Sequence, residues 1–437
     1  MKLGTKSCGF ARQFLYEFNE DAERVSSFVF STKSHWRIDF PSALILSREG
    51  NAEEFGIQAI EQFKGIGDYN EDCVFFENII ESLYISEDFD DKTLIKDSRG
   101  SKHKALDIFG KFLRILFDYA CHDMSECFKL GALKLSEIKW MLMIPSVRAG
   151  SGVQAFFEKA WNEVFRNDTC TRENLVIVAF PDAALTYYLY LPPEQCNGIC
   201  IDKIRTGERV MIIGFEDELD SFNIYEKKEN WEFKQVVNFL SGASSKCLMM
   251  KAFDSFFEDL IGSWLWKVGK ENCDDLWPDI VTNIDLLNES KMDKECMVTL
   301  SSRFCCLNEI CDKHTNMTVK QILEKSKFAS SIRLRRYTLR VKSSLIKTLI
   351  DKCLSKIINN IEHVLPKSDK EVTTLILAGD MARSGLLIHA VQTAFPSKQI
   401  VVSDTANEAA LRGAVLFGHQ PIAVSSICSG AQVIVAR

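Results

Sequence analysis

Apolar residues along this chain fall into two periods. Short, almost wholly apolar runs at 138–144, closed by Pro145, and at 175–180 predict buried strands. After the first, Val153, Phe156, Phe157, Ala160, Trp161, Val164 and Phe165 recur at helical spacing; after the second, DAALTYYLYL beyond Pro181 predicts another helix. VMIIG and SFNIY, separated by EDEL, predict a β-hairpin over 209–226 whose turn carries Glu216, Asp217 and Glu218. Residues 246–310 read as helical. Leu345, Ile346, Leu349, Ile350, Cys353, Leu354, Ile357, Ile358, Ile361 and Leu365 then form an amphipathic stripe stopped by Pro366. That stripe is expected to be buried against its own domain rather than to dock a partner. The strand TTLILAG, a helix over 385–395, the strand QIVVS and a helix over 407–417 follow. Strand–helix–strand order of this kind predicts an α/β protein with a mostly parallel, helix-covered sheet.

Composition narrows the class. At 437 residues the chain is long enough for two or three domains or one large two-lobed unit. Its 46% hydrophobic and 26% charged residues exclude a disordered chain. The net charge of -7 argues against nucleic-acid binding through bulk charge. The longest stretch without formal charge, 413–436, contains His419, Gln420 and Pro421 and is too polar for a membrane span. The start of the sequence carries no apolar core of a signal peptide, and the 15 cysteines, an odd number spread from Cys8 to Cys428, read as reduced thiols. A cytoplasmic protein with protein partners, and neither nucleic acid nor a membrane span, is expected.

Candidate chemistry is sparse. There is no Walker P-loop, and Gly65 and Gly67 follow no strand, so no dinucleotide fingerprint is present. Cys296, Cys305, Cys306, Cys311 and His314 include good zinc ligands and support a zinc-dependent interaction module as an alternative. The adjacent Cys305 and Cys306 do not match a knuckle spacing, which favours core thiols. Cys196 and Cys200 read as loop thiols. Arg333, Arg335, Arg336, Arg340 and Lys342 read first as a solvated face, and second as a contact for phosphates or an acidic partner.

Several blocks taken together carry a resemblance. LILAGDMARSGLLIHAVQTAF (375–395) and VVSDTANEAALRGAVLFGHQP (401–421) resemble the adenosine-side turn and closing helix of the actin and seventy-kilodalton heat-shock ATPase fold. IKWMLMIPSVRAGSGVQAFFEKAW (138–161) and LVIVAFPDAALTYYLYL (175–191) resemble its two connecting segments, and LGTKSCGFA (3–11) its first phosphate loop. With FPSALIL (40–46) and FGIQA (55–59), the wording is most similar to the divergent family-12 branch of the heat-shock proteins. The resemblance implies a two-lobed actin-like ATPase fold, with lobe one at 1–205 plus 404–437 and lobe two at 206–403. In such a fold two hairpins present backbone N–H groups to phosphates, and carboxylates hold Mg²⁺ through water.

Position by position, the resemblance implies a degenerate cleft. Gly4, Thr5 and Lys6 of the first loop, Gly379 of the adenosine-side turn and Lys291 of the clamping helix remain as vestigial nucleotide-binding positions. The aspartate expected before the first loop is Lys2, and a lysine expected further on is Ile80. The glutamate of the second connecting segment is Phe180. In the second hairpin the leading aspartate is Gly214, the glycine triplet is Glu216, Asp217 and Glu218, the threonine is Leu219 and the later aspartate is Ser221. The second glycine of the adenosine-side turn is Asp380, and Met292 follows Lys291 where an arginine is expected. Three carboxylates facing a triphosphate repel it, each unit-charge pair by about 4 kcal/mol at 4 Å and an effective dielectric of 20. The resemblance therefore implies a heat-shock-family-12-like pseudo-ATPase acting as a binding or scaffold protein. It would hold ATP or ADP with Mg²⁺ weakly or not at all, have no catalytic residues of its own and hold no resident metal. An ATP-binding chaperone-type ATPase of the same family is the alternative. Relative to that family the chain is expected to lack most of the first strand and a further C-terminal β-rich portion, either as a shortened member or as a clipped gene product.

Overall fold

The computed structural model describes residues 1–437 except 32–35, 38, 67–72, 86–88, 128–133, 147–151, 167–173, 197–200, 274–275, 286, 288–296, 337, 426–433 and 436–437. The fold is mixed α/β, organised by two principal sheets. The first holds β1 (Lys2–Leu3), β2 (Ser7–Gly9), β3 (Asp39–Pro41), β4 (Trp140–Ile144) and β5 (Leu175–Ala179) in the order β5-β4-β1-β2-β3. The second holds β6 (Arg209–Phe215), β7 (Asp220–Lys227), β8 (Glu232–Leu240), β9 (Val372–Gly379) and β10 (Gln399–Val401) in the order β10-β9-β6-β7-β8.

The two orders are the same, and so are the strand directions. In each sheet the first three of its strands pair antiparallel, and two later strands add in parallel beside the first of them. Beyond β8, residues Ala423–Ser425 and Ile434–Val435 pair with it in parallel. WMLMI in β4 and RVMIIGF in β6 are buried at every position, as expected for strands covered on both faces.

Five helices matter for the site: α1 (Ile79–Ile85), α2 (Phe180–Tyr190), α3 (Ser245–Ile261), α4 (Ser343–Val364) and α5 (Ala409–His419). Ile346, Ile350, Cys353, Ile357, Ile361 and Val364 form the buried stripe of α4, in one core with Phe253, Phe256 and Phe257 of α3. The expected burial of that helix is observed. The region read as helical over 246–310 differs in part. Met297–Ser301 is a strand, pairing with Thr338–Lys342, because its Val298 and Leu300 alternate inward rather than at helical spacing.

Helices α2 and α5 hold the two sheets together. One core takes Met141, Met143 and Val178 from the first sheet and Val210, Ile212, Ile376 and Ala378 from the second, all onto this helix pair. The crossing is backbone-close: a Cβ on Gly413 would lie 1.8 Å from the Ala183 carbonyl oxygen and 3.0 Å from Tyr187 Cβ. Only glycine allows that approach. The Tyr188 hydroxyl donates to the Leu377 carbonyl at 2.6 Å and accepts from the Ser403 N–H at 3.2 Å, tying α2 to β9 and to the chain beyond β10.

Gly413→Ala is expected to destabilise the protein by about 3 kcal/mol or more, since neither backbone can move without separating the sheets. Urea unfolding of the variant against wild type measures this; a loss below about 1 kcal/mol would show that the crossing relaxes easily.

Candidate functional site

Two hairpins meet between the sheets. The first, β1–β2, turns through Gly4, Thr5 and Lys6; the second, β6–β7, turns through Glu216, Asp217, Glu218 and Leu219. Successive backbone N–H groups in such a turn form an anion cradle. Here that cradle is filled from within the chain. The N–H groups of Lys6 and Ser7 donate to Asp217 Oδ2 at 3.0 and 3.1 Å, and the Ser7 hydroxyl donates to the same oxygen at 3.2 Å. Gly4 is required for this closeness, because a Cβ there would lie 2.8 Å from Asp217 Oδ2 and 2.3 Å from the Ser7 carbonyl.

The flanking carboxylates are engaged as well. Glu218 pairs with the Lys6 ammonium at 2.6 Å, which, against the desolvation of that lysine, holds the ammonium above its ordinary range. Glu216 is buried and accepts the Ser146 N–H at 2.8 Å, just after β4. Burial pushes its carboxyl up to about 7, tempered by the hydrogen bond from the Ser146 N–H. The expectation of three carboxylates facing an open cleft is thereby corrected. They turn into the opposite sheet, where amides and an ammonium compensate them, because a buried or half-buried carboxylate without such partners is costly.

Lys2 stands beside this lock, its ammonium donating to Ser7 Oγ at 3.2 Å. Burial opposes its charge, but Asp217, Asp380 and Asp39 together raise it above its ordinary range. Asp380 also pairs with Lys246 from the first turn of α3. Its neighbour Gly379 has φ +98°, and a Cβ there would lie 2.2 Å from the Phe215 carbonyl oxygen, so the glycine is demanded by local packing.

The remaining predicted positions are structural. Phe180 lies against Gly214, where a Cβ would sit 2.9 Å from Phe180 Cε1 and 2.5 Å from Ser221 Oγ. Phe180 thus fills space with an apolar ring where the resemblance calls for a carboxylate. Ile80 is buried in the core of the first sheet. Leu219 closes the second hairpin by accepting the Glu216 N–H at 3.3 Å. Thr5 is buried, its carbonyl accepting from Glu81 N–H and Ser42 Oγ at 3.2 and 3.3 Å. Lys291 and Met292 lie outside the described residues, as do Cys200 and Cys296.

Among the described residues no group of three or more His, Cys, Asp or Glu side chains is placed to hold a metal. Cys311 is buried in the core of the second sheet and His314 packs edge-on to Trp264. Nor does the loop geometry leave room for a phosphate, since the cradle is filled by Asp217; the resemblance implies carboxylates for Mg²⁺ at positions that hold an ammonium, a glycine and a serine (Lys2, Gly214 and Ser221).

Four participants escape sequence reasoning: Ser146, Asp220, Ser245 and Lys246. Asp220 accepts the Ser245 N–H at 3.1 Å on both carboxylate oxygens and takes the Ser245 hydroxyl, so the second hairpin anchors the start of α3. Burial pushes Asp220 up to about 6. GASSK (242–246) before an amphipathic run is a helix-start signal that would have pointed to this end of α3.

This arrangement defines a mixed α/β protein with two topologically matching sheets joined at a pair of hairpins. The sequence is 21% identical over 433 residues to heat shock 70 kDa protein 12B of Homo sapiens, covering 87% of this chain and 62% of that protein. It is 19% identical over 433 residues to heat shock 70 kDa protein 12A of Mus musculus, covering 88% of this chain and 64% of that protein. The chain thus spans under two thirds of the length of these relatives. No family model matches. The relation to the seventy-kilodalton heat-shock proteins is distant and extends over most of the chain. No helix among the described residues is long and apolar enough to cross a membrane.

The raised carboxyl of Glu216 makes stability pH-dependent with a definite sign. Its folded value, about 7, lies above the ordinary 4.5, so the folded state binds the extra proton between these values. Its contribution is therefore full below about pH 4.5 and is lost as pH rises through 7. Relative to Glu216→Gln, wild type is expected to lose about 2 kcal/mol of unfolding free energy between pH 5 and 8. Parallel pH curves for the two proteins in urea titrations would contradict this.

Proposed function

We propose that the chain is a two-lobed, actin-like pseudo-ATPase related to the family-12 heat-shock proteins, with lobe one at 1–205 plus 404–437 and lobe two at 206–403. In this reading it acts through protein contacts rather than through nucleotide turnover. One observation carries it: Asp217 Oδ2 sits on the Lys6 and Ser7 amides, where the first loop of an active relative of this fold would meet a phosphate. A carboxylate on the opposite hairpin, tied in further by Glu218 to Lys6, substitutes for the ligand that normally bridges the lobes.

The alternative, an ATP-binding chaperone-type ATPase, draws on the retained Gly4 and Gly379. Each has a local steric reason, contact with Ser7 and with Phe215, and neither needs a nucleotide to explain it. A scaffold role, with the cytoplasmic location expected from the sequence, stands as part of the same proposal.

The test joins calorimetry to hydrogen exchange. ATP and ADP, with and without Mg²⁺, are expected to give no saturable heat up to about 1 mM, a limit near -4 kcal/mol. The Lys6 and Ser7 amides are expected to be protected in the ligand-free protein and to lose protection in Asp217→Gly. Magnesium-dependent binding of ATP tighter than about 10 μM, near -7 kcal/mol, would overturn the proposal.

A further inference from the structure

The basic cluster singled out in the sequence acquires a definite geometry. Strands Ile332–Arg335 and Thr338–Lys342 form an antiparallel hairpin in a small three-stranded sheet with Met297–Ser301. Ile332, Leu339 and Val341 point into the core. The alternate positions, Arg333, Arg335 and Arg340, share the outer face and are exposed, with Lys342 half-buried beside them and Arg336 exposed at the turn.

Arg333 and Arg340 are direct cross-strand partners. Like charges directly opposite one another destabilise a hairpin unless an anion lies between them. Among the described residues, Arg333, Arg335 and Arg336 have no carboxylate partner, and Arg340 spends one N–H on the Met297 carbonyl at 2.7 Å. Among the described residues, the face therefore presents exposed guanidinium groups with no internal counter-charge.

We propose that this face docks an acidic, extended peptide segment of a protein partner. Arg333 and Arg335 are two residues apart on a strand, about 7 Å, which is also the spacing of alternate side chains in an extended peptide. Carboxylates at alternate positions thus match the forks in register, each able to accept a bidentate pair. The other polyanions fit less well. The chain's net charge of -7 opposes the long-range field of a nucleic acid. A membrane surface calls for exposed apolar side chains beside the cations, and among the described residues the exposed large hydrophobic ones, Leu15, Tyr16, Trp231 and Trp264 among them, lie on other elements. Nothing in this face depends on the state of the cleft.

Fluorescence anisotropy of a labelled (Glu-Ser)₄ peptide with the full chain tests the assignment, with (Gln-Ser)₄ as control. Wild type is expected to bind the acidic peptide saturably, with affinity falling as salt rises, and to ignore the neutral one. Arg333→Glu turns the like-charged pair into an ion pair, so its melting temperature is expected to be unchanged or raised while peptide affinity drops at least about tenfold. Arg335→Gln, opposite Thr338, gives a second variant with a neutral change at an exposed site, expected to weaken binding about threefold. The assignment is overturned by no binding at about 1 mM peptide, by wild-type affinity in both variants, or by tighter binding of oligouridylate or of phosphatidylserine-containing vesicles than of the peptide.

Discussion

The carboxylate of Asp217 on the amides of Lys6 and Ser7 is the contact on which the arrangement of the two sheets turns. Those amides point into the gap between hairpins, and a backbone N–H is a strong donor that takes an acceptor. An acceptor from solvent would leave the second hairpin tip free. An acceptor from the second hairpin fixes the tip, and with it Glu216 against Ser146 and Glu218 against Lys6. Three consecutive acidic residues thereby become three separate ties, each with its own compensation.

Behind that tip, the same economy of contact holds the rest. Asp220 carries the hairpin into the first turn of α3, where Lys246 reaches Asp380 beyond β9. Helices α2 and α5 cross under both sheets at Gly413, and the Tyr188 hydroxyl joins α2 to β9 and the following chain. Front and back of the joint are thus closed by different chemistry: ion pairs and charge-assisted hydrogen bonds at the hairpins, and backbone-close apolar packing at the helices. On the polar side Lys2, Lys6, Glu216 and Asp220 all have raised proton affinities.

Much of this was legible from local pattern. The apolar runs of β4, β5, β6 and β9 are nearly unbroken and are followed closely by Pro145, Pro181, Glu216 and Asp380, so strand and boundary could be read together. The second hairpin declared itself by acidic residues between two apolar strands. The strand Met297–Ser301 did not, because five residues with only two inward apolar side chains do not stand out among flanking helices. The direction of the carboxylates was beyond local reading altogether. Asp217 meets a partner 210 residues away through its backbone amide, and Ser146 takes part through its N–H, which any residue but proline would supply.

A tethered acceptor is also a competitor. Asp217 hangs on a turn of four residues between paired strands, so its carboxylate samples the cradle at the high effective concentration of a group that never diffuses away. A free anion must displace it at its own, far lower, concentration, and must also leave Asp217 somewhere to go beside Glu218 and Glu216. Occupancy of this cradle is thus decided by connectivity before it is decided by affinity: the second hairpin has first claim on the first.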